Sequence, residues 1–94
     1  MPFEAVAKEG GKHQMWHVYL LESEAVKGER YIGVTSDLKR RLAEHNSGKS
    51  GHTSKFLPWR IVTYMGFSNP ARAASFERYL KSGSGHAFAN KRLW

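Results

Sequence analysis

Apolar and polar positions along this chain change period several times, and each change marks an element. His17-Val18-Tyr19-Leu20-Leu21-Glu22-Ser23 is rich in β-formers and closes on polar residues, which predicts a strand. Glu24 to Glu29, charged and containing Gly28, suits a hairpin loop. Arg30-Tyr31-Ile32-Gly33-Val34-Thr35 reads as the returning strand. Side chains alternate faces along a strand, so Tyr19 goes with Leu21, and Tyr31 with Gly33. A matching register puts both tyrosines on one side of the hairpin.

The period then becomes helical. Thr35, Ser36 and Asp37 offer capping oxygens, Leu38, Leu42 and His45 form a narrow stripe, and Gly48 is placed to terminate the helix. Arg41 falls at the margin of that stripe, while Lys39 and Arg40 point to water. Ser47 to Pro58 reads as a polar loop, and Trp59 to Phe67 as a third strand. Asn69 or Ser68 caps a second helix with Pro70 at its first position. Its stripe is Ala73, Phe76 and Leu80, Glu77 borders it, and Gly83 and Gly85 are expected to end it. His86 to Trp94 is expected to form a last short helix. The order β-β-α-β-α-α predicts an α+β fold: a three-stranded, mainly antiparallel sheet flanked by helices.

Length and composition narrow the picture. Ninety-four residues suffice for one domain, assigned to residues 15–94, with residues 1–14 expected as a flexible tail. The longest apolar run, Val18 to Leu21, is far too short to span a membrane, and the N-terminal stretch lacks the apolar core of a secretory signal. A cytoplasmic protein without membrane association is expected. The net charge of +7 is uneven: residues 1–36 hold four Lys/Arg against five Asp/Glu, and residues 37–94 hold eleven against three. Such a basic half attracts phosphate backbones, though a solvated basic face has the same composition.

Several chemistries are excluded. The chain has no cysteine, hence no thiolate nucleophile, and no Walker or dinucleotide glycine pattern. Its five histidines (13, 17, 45, 52 and 86) have no familiar zinc-ligand spacing. What remains is a motif series. His17-Val18-Tyr19, with Tyr31-Ile32-Gly33 following, resembles the paired GIY and YIG motifs of the GIY-YIG nucleases. Tyr31 to Asn46 extends the likeness through Arg41 and His45, and Glu77 on the later helix corresponds to the family's metal-binding glutamate. Asn90 corresponds to an asparagine near the domain's end and is a supporting candidate. The likeness covers residues 16 to about 92. His17 stands where the family has glycine.

The resemblance implies a metal-dependent endonuclease hydrolysing phosphodiester bonds in DNA, including branched, flapped or damaged DNA. Its catalytic residues would be Tyr19, Tyr31, Arg41, His45 and Glu77. One carboxylate, Glu77, suits Mg²⁺, with Mn²⁺ as a substitute, since that ion keeps waters and takes substrate oxygens. Glu77 also reads as a helix glutamate paired with Lys81 at i+4. Arg41 has the donor fork that fits a phosphate. His45, one turn on, either moves a proton or is a buried histidine with a satisfied ring. A tyrosine acting as base needs its pKa lowered by positive charge. The resemblance assigns that role to a tyrosine, with Tyr31 nearer the water and Tyr19 orienting or sharing the proton. Both tyrosines also suit plain packing in a sheet. Lys39, Arg40, Lys49, His52, Lys55 and Arg60 are candidate backbone contacts. Trp59 is open to core packing or to stacking on an unpaired base. Two further readings are a binding module without useful activity and a nuclease needing a protein partner; a homodimer would suit paired cuts on a duplex.

Overall fold

The computed structural model describes residues 14–94; the tail expected over residues 1–14 lies, apart from Gln14, outside the described residues. The chain runs β1 (Trp16–Ser23), β2 (Arg30–Thr35), α1 (Leu38–Asn46), a 3-10 turn (Gly51–Lys55), β3 (Trp59–Phe67), α2 (Pro70–Leu80) and α3 (Gly83–Arg92). All strand pairings are antiparallel, in the order β2-β1-β3. The expected α+β architecture is therefore observed. Tyr19 pairs with Gly33 and Leu21 with Tyr31, so the two tyrosines lie diagonally on one face of the hairpin.

Both faces of β1 are covered, which explains its unbroken apolar run rather than a clean alternation. Val18 and Leu20 join Ala73, Leu80 and Ala89 of α2 and α3, flanked by Ile32, Val34 and Phe76. Tyr19 and Leu21 face the other way and pack with Trp59, Leu38, Leu42 and Ile61. The sheet is thus a middle layer, with α2 and α3 on one side and α1 with the 3-10 turn on the other.

Local chemistry sets the helix positions. The Asp37 carboxylate accepts the Arg40 amide at 3.0 Å and starts α1. Gly48, at φ +81°, follows the end of that helix. Asn46 then ties α1 to the sheet: its Oδ1 accepts the Trp59 amide at 2.6 Å and its Nδ2 donates to the Trp59 carbonyl at 3.0 Å. Asn69 caps α2, accepting the amides of Ala71 and Arg72, with Pro70 in the first turn.

Two expectations change. Gly83 and Gly85 do not end α2; that helix stops at Leu80, and both glycines lie in the first turn of α3. The Ser82 hydroxyl caps α3 by accepting the Gly85 amide. A β-carbon on Gly85 would run into the Tyr79 carbonyl, so this glycine permits close contact of the two helix ends rather than termination. The last helix consequently spans Gly83–Arg92, not His86 to Trp94. Second, the polar loop contains the 3-10 turn, which buries Thr53 under the sheet.

Candidate active site

Four of the expected residues converge where α1 crosses the β1–β2 hairpin. Tyr19 is only 1% exposed because the period-two alternation of β1 turns it toward α1. Its hydroxyl lies 3.0 Å from Nε2 of His45, itself 1% exposed on the inner stripe of the helix. Nδ1 of His45 lies 2.9 Å from the Thr53 hydroxyl, which donates to the Ser50 carbonyl at 2.8 Å. Tyr31 packs edge-on against His45, ring centroids 4.8 Å apart, and lies 6.1 Å from the Tyr19 ring. Arg41, one turn before His45, donates through Nη1 to the Glu44 carboxylate at 2.9 Å.

Gly33 makes room for this packing. A β-carbon there would stand 2.5 Å from the Tyr19 hydroxyl oxygen and 2.9 Å from Cε1 of Tyr31. Beside the tyrosines opens a cleft of about 410 Å³, lined by Tyr31, Arg41, His45, Lys49, His52 and Thr53 among others. Arg41 also lines a second, smaller cleft with Asp37, Arg40 and Glu44.

Burial governs the protonation of the inner phenol. Burial pushes the Tyr19 pKa up to about 12, and the partial opposition of the adjacent Arg41 does not reverse this. The lowered phenol pKa that a base requires is therefore absent at Tyr19, while Tyr31 is the one that borders the open cleft. Burial, reinforced by the Arg41 charge, lowers the pKa of His45, which favours a neutral ring at pH 7. Glu44 raises the Arg41 pKa and holds the guanidinium charged.

Glu77 stands apart from this group. It lies on α2, whose buried residues pack on the Val18–Leu20 face of the sheet. Its Oε2 accepts from Lys81 Nζ at 2.7 Å, so the i+4 pairing weighed from the sequence is formed. Asn90 lies on the same side of the sheet, between Arg30 at 3.5 Å and His86 at 3.2 Å. Among the described residues no three His, Cys, Asp or Glu side chains converge as a metal cage. A lone, partly buried carboxylate oxygen donor fits Mg²⁺ or Mn²⁺ only if waters and a phosphate complete the shell. Such binding also requires Lys81 to give way.

The basic candidates divide likewise. Lys49 and His52 line the cleft, and Arg40 lines its neighbour while reaching Glu44 at 3.4 Å. Lys39 and Lys55 are exposed and line neither cleft. Arg60 is elsewhere: it bonds Glu22, its cross-strand partner on β1, at 2.7 Å and lines a different cleft with Ser23 and Lys27. Trp59 is 3% exposed, with its indole N–H donating to the Thr53 carbonyl, which rules out stacking on a base. Sequence reasoning did not find Thr53 or Glu44. Glu44 was detectable as a carboxylate three residues beyond Arg41; nothing local marks Thr53.

Comparison with known proteins bears on the family and the fold. The GIY-YIG catalytic domain model matches residues 15–91. The chain belongs to the GIY-YIG family. Among curated proteins, it is 42% identical over 66 residues to a UPF0213 protein of Streptococcus pneumoniae serotype 4, covering 69% of this chain and 65% of that one. It is 40% identical over 83 residues to the structure-specific endonuclease subunit SLX1 homolog of Drosophila mojavensis, covering 79% of this chain but 26% of the relative. The chain thus spans just under two thirds of the former and about a quarter of the latter. Among solved structures, the solution NMR structure of a UPF0213 protein from Bacillus halodurans matches with a TM-score of 0.51 and 28% identity. That match covers 84% of this chain and 86% of the other.

Proposed function

We propose that this protein is a divalent-metal-dependent endonuclease that cuts DNA, with the scissile phosphate seated in the cleft of Tyr31, Arg41, His45 and Lys49. The observation that carries the reading is the Tyr19–His45 hydrogen bond beside Tyr31 and Arg41, two phenols, an imidazole and a guanidinium at one cleft wall. Simple sheet packing needs no such polar set beneath an open surface.

The roles follow from the positions. Arg41, oriented by Glu44, presents its remaining donors to phosphate oxygens. Tyr31, at the cleft edge, first gives its own proton to water in the open cleft and, as the phenolate, takes the proton of the attacking water. Tyr19 and His45 stand behind it as the internal hydrogen-bonded pair that steadies this face. Glu77 would hold the metal ion, which supplies positive charge to the phosphate and the leaving oxygen. Lys49, His52, Lys39, Arg40 and Lys55 position the backbone without reading sequence.

The test is cleavage of labelled duplex, flap and four-way-junction DNA with Mg²⁺ or Mn²⁺. Wild type, Glu77→Ala and Tyr31→Phe would be purified identically. Cutting by wild type alone, abolished by EDTA, supports the enzyme, with a loss of about 10²-fold or more in each variant. Salt-sensitive binding without cutting would mean a binding module instead. A nuclease positioned by a protein partner is a second reading, favoured by the naming of the Drosophila relative as an endonuclease subunit. Cutting that appears only on adding a partner would establish it.

A further inference from the structure

We infer that Thr53 is a positioning residue of this site: its hydroxyl sets the tautomer of His45, leaving Nε2 bare and facing Tyr19. The inference rests on the nuclease reading only for its effect on cutting.

The argument counts protons along a buried chain. At one end, the Ser50 carbonyl can only accept, and the Thr53 hydroxyl oxygen lies 2.8 Å from it. The hydroxyl proton is spent there, so Oγ1 turns a lone pair toward Nδ1 of His45, 2.9 Å away. Nδ1 therefore carries the ring proton. A neutral imidazole has one such proton, which leaves Nε2 as an acceptor. The Tyr19 hydroxyl, 3.0 Å from Nε2, must be its donor.

The opposite arrangement displaces the proton at the other end. If Nε2 carried the proton, the buried Tyr19 O–H would need another acceptor. Arg41 beside it is only a donor, so the phenol proton would have to turn from His45 to the neighbouring Tyr31 hydroxyl. The Ser50 carbonyl thus sets the direction of the chain: Tyr19 to His45 to Thr53 to Ser50. Burial makes this binding. His45 is 1% exposed and Thr53 2%, so water cannot substitute for a missing partner. Thr53 is itself held, since its backbone amide donates to Ser50 and its carbonyl accepts from the Trp59 indole.

For the reaction, a bare Nε2 makes His45 the acceptor for a proton at Tyr19. The phenol oxygen then keeps its other lone pairs for Arg41 and Tyr31. Removing the Thr53 hydroxyl leaves Nδ1–H buried without an acceptor and favours transfer of the ring proton to Nε2, which reverses the bond to Tyr19.

The test reads the tautomer directly in the full chain, by long-range proton–nitrogen NMR of ¹⁵N-histidine-labelled protein at pH 7.5 without metal or substrate. Wild type is expected to show the Nδ1–H form at His45. Thr53→Val keeps the shape and removes the hydroxyl; it is expected to populate the Nε2–H form and to cut about tenfold more slowly. Thr53→Ser is expected to restore both. An Nε2–H tautomer in wild type, or an unchanged Nδ1–H tautomer in folded Thr53→Val, overturns the inference. Because the spectrum needs no cleavage, an Nδ1–H tautomer in a protein that cuts nothing would sink the nuclease reading and leave this one standing.

Discussion

Replacing Gly33 by alanine tests whether the site is packed as described. A new β-carbon would meet the Tyr19 hydroxyl oxygen at 2.5 Å, its Cζ at 2.6 Å and Cε1 of Tyr31 at 2.9 Å. Ordinary contact lies near 3.5 Å, so the phenol must move by about 1 Å. It is poorly free to do so. The Tyr19 backbone is central in the sheet, paired with both Gly33 and Tyr64, and its hydroxyl is 3.0 Å from His45. A displacement of about that size either compresses the hydrogen bond or breaks it. Overpacking of this kind costs about 1–3 kcal/mol, to be read from urea unfolding of wild type and variant. Cleavage should fall further than stability explains, because both tyrosines are pushed at once. Combining Gly33→Ala with Tyr19→Phe removes the closest clash, so the two changes should couple favourably in a double-mutant cycle. A Gly33→Ala protein within about 0.5 kcal/mol of wild type, with no coupling to Tyr19→Phe, would refute the Tyr19–Gly33 packing.

Two other outcomes follow from the electrostatics. The Tyr19 pKa is raised to about 12, so its contribution to stability is intact below the ordinary phenol value and is lost as pH rises toward 12. Unfolding free energies from urea titrations between pH 9 and 12 should fall by up to about 2–3 kcal/mol more in wild type than in Tyr19→Phe. The lowered pKa of His45 acts at the other end: the unfolded chain takes up the proton first, so stability should decline as pH drops below about 6.5. An equal decline in a His45→Gln variant would contradict that source. For substrate contact, Lys49→Ala should reduce the salt dependence of DNA binding by about one unit of slope. Arg60→Ala should leave it unchanged, since Arg60 bonds Glu22 away from the cleft; filter binding from 50 to 200 mM salt distinguishes the two.

What the sequence by itself determined was whatever depends on local period and capping. The three strands, the Asp37 and Asn69 caps and the shared face of Tyr19 and Tyr31 follow from backbone geometry over a few residues. The adjacency of Arg41 and His45 follows from one helical turn. Glycine was harder to read, because the same residue ends one helix or eases two together. Gly85 does the second, and only the approach of Tyr79 reveals it. The tertiary structure alone decided the contacts across the chain. It tied His45 to Thr53 and to a tyrosine 26 residues away, placed Trp59 in the core and separated Arg60 from the cleft. It also paired Glu77 of α2 with Lys81. The division has one physical cause: local hydrogen-bond periods are written in neighbouring residues, whereas burial and proton direction arise only after strand register brings distant groups together.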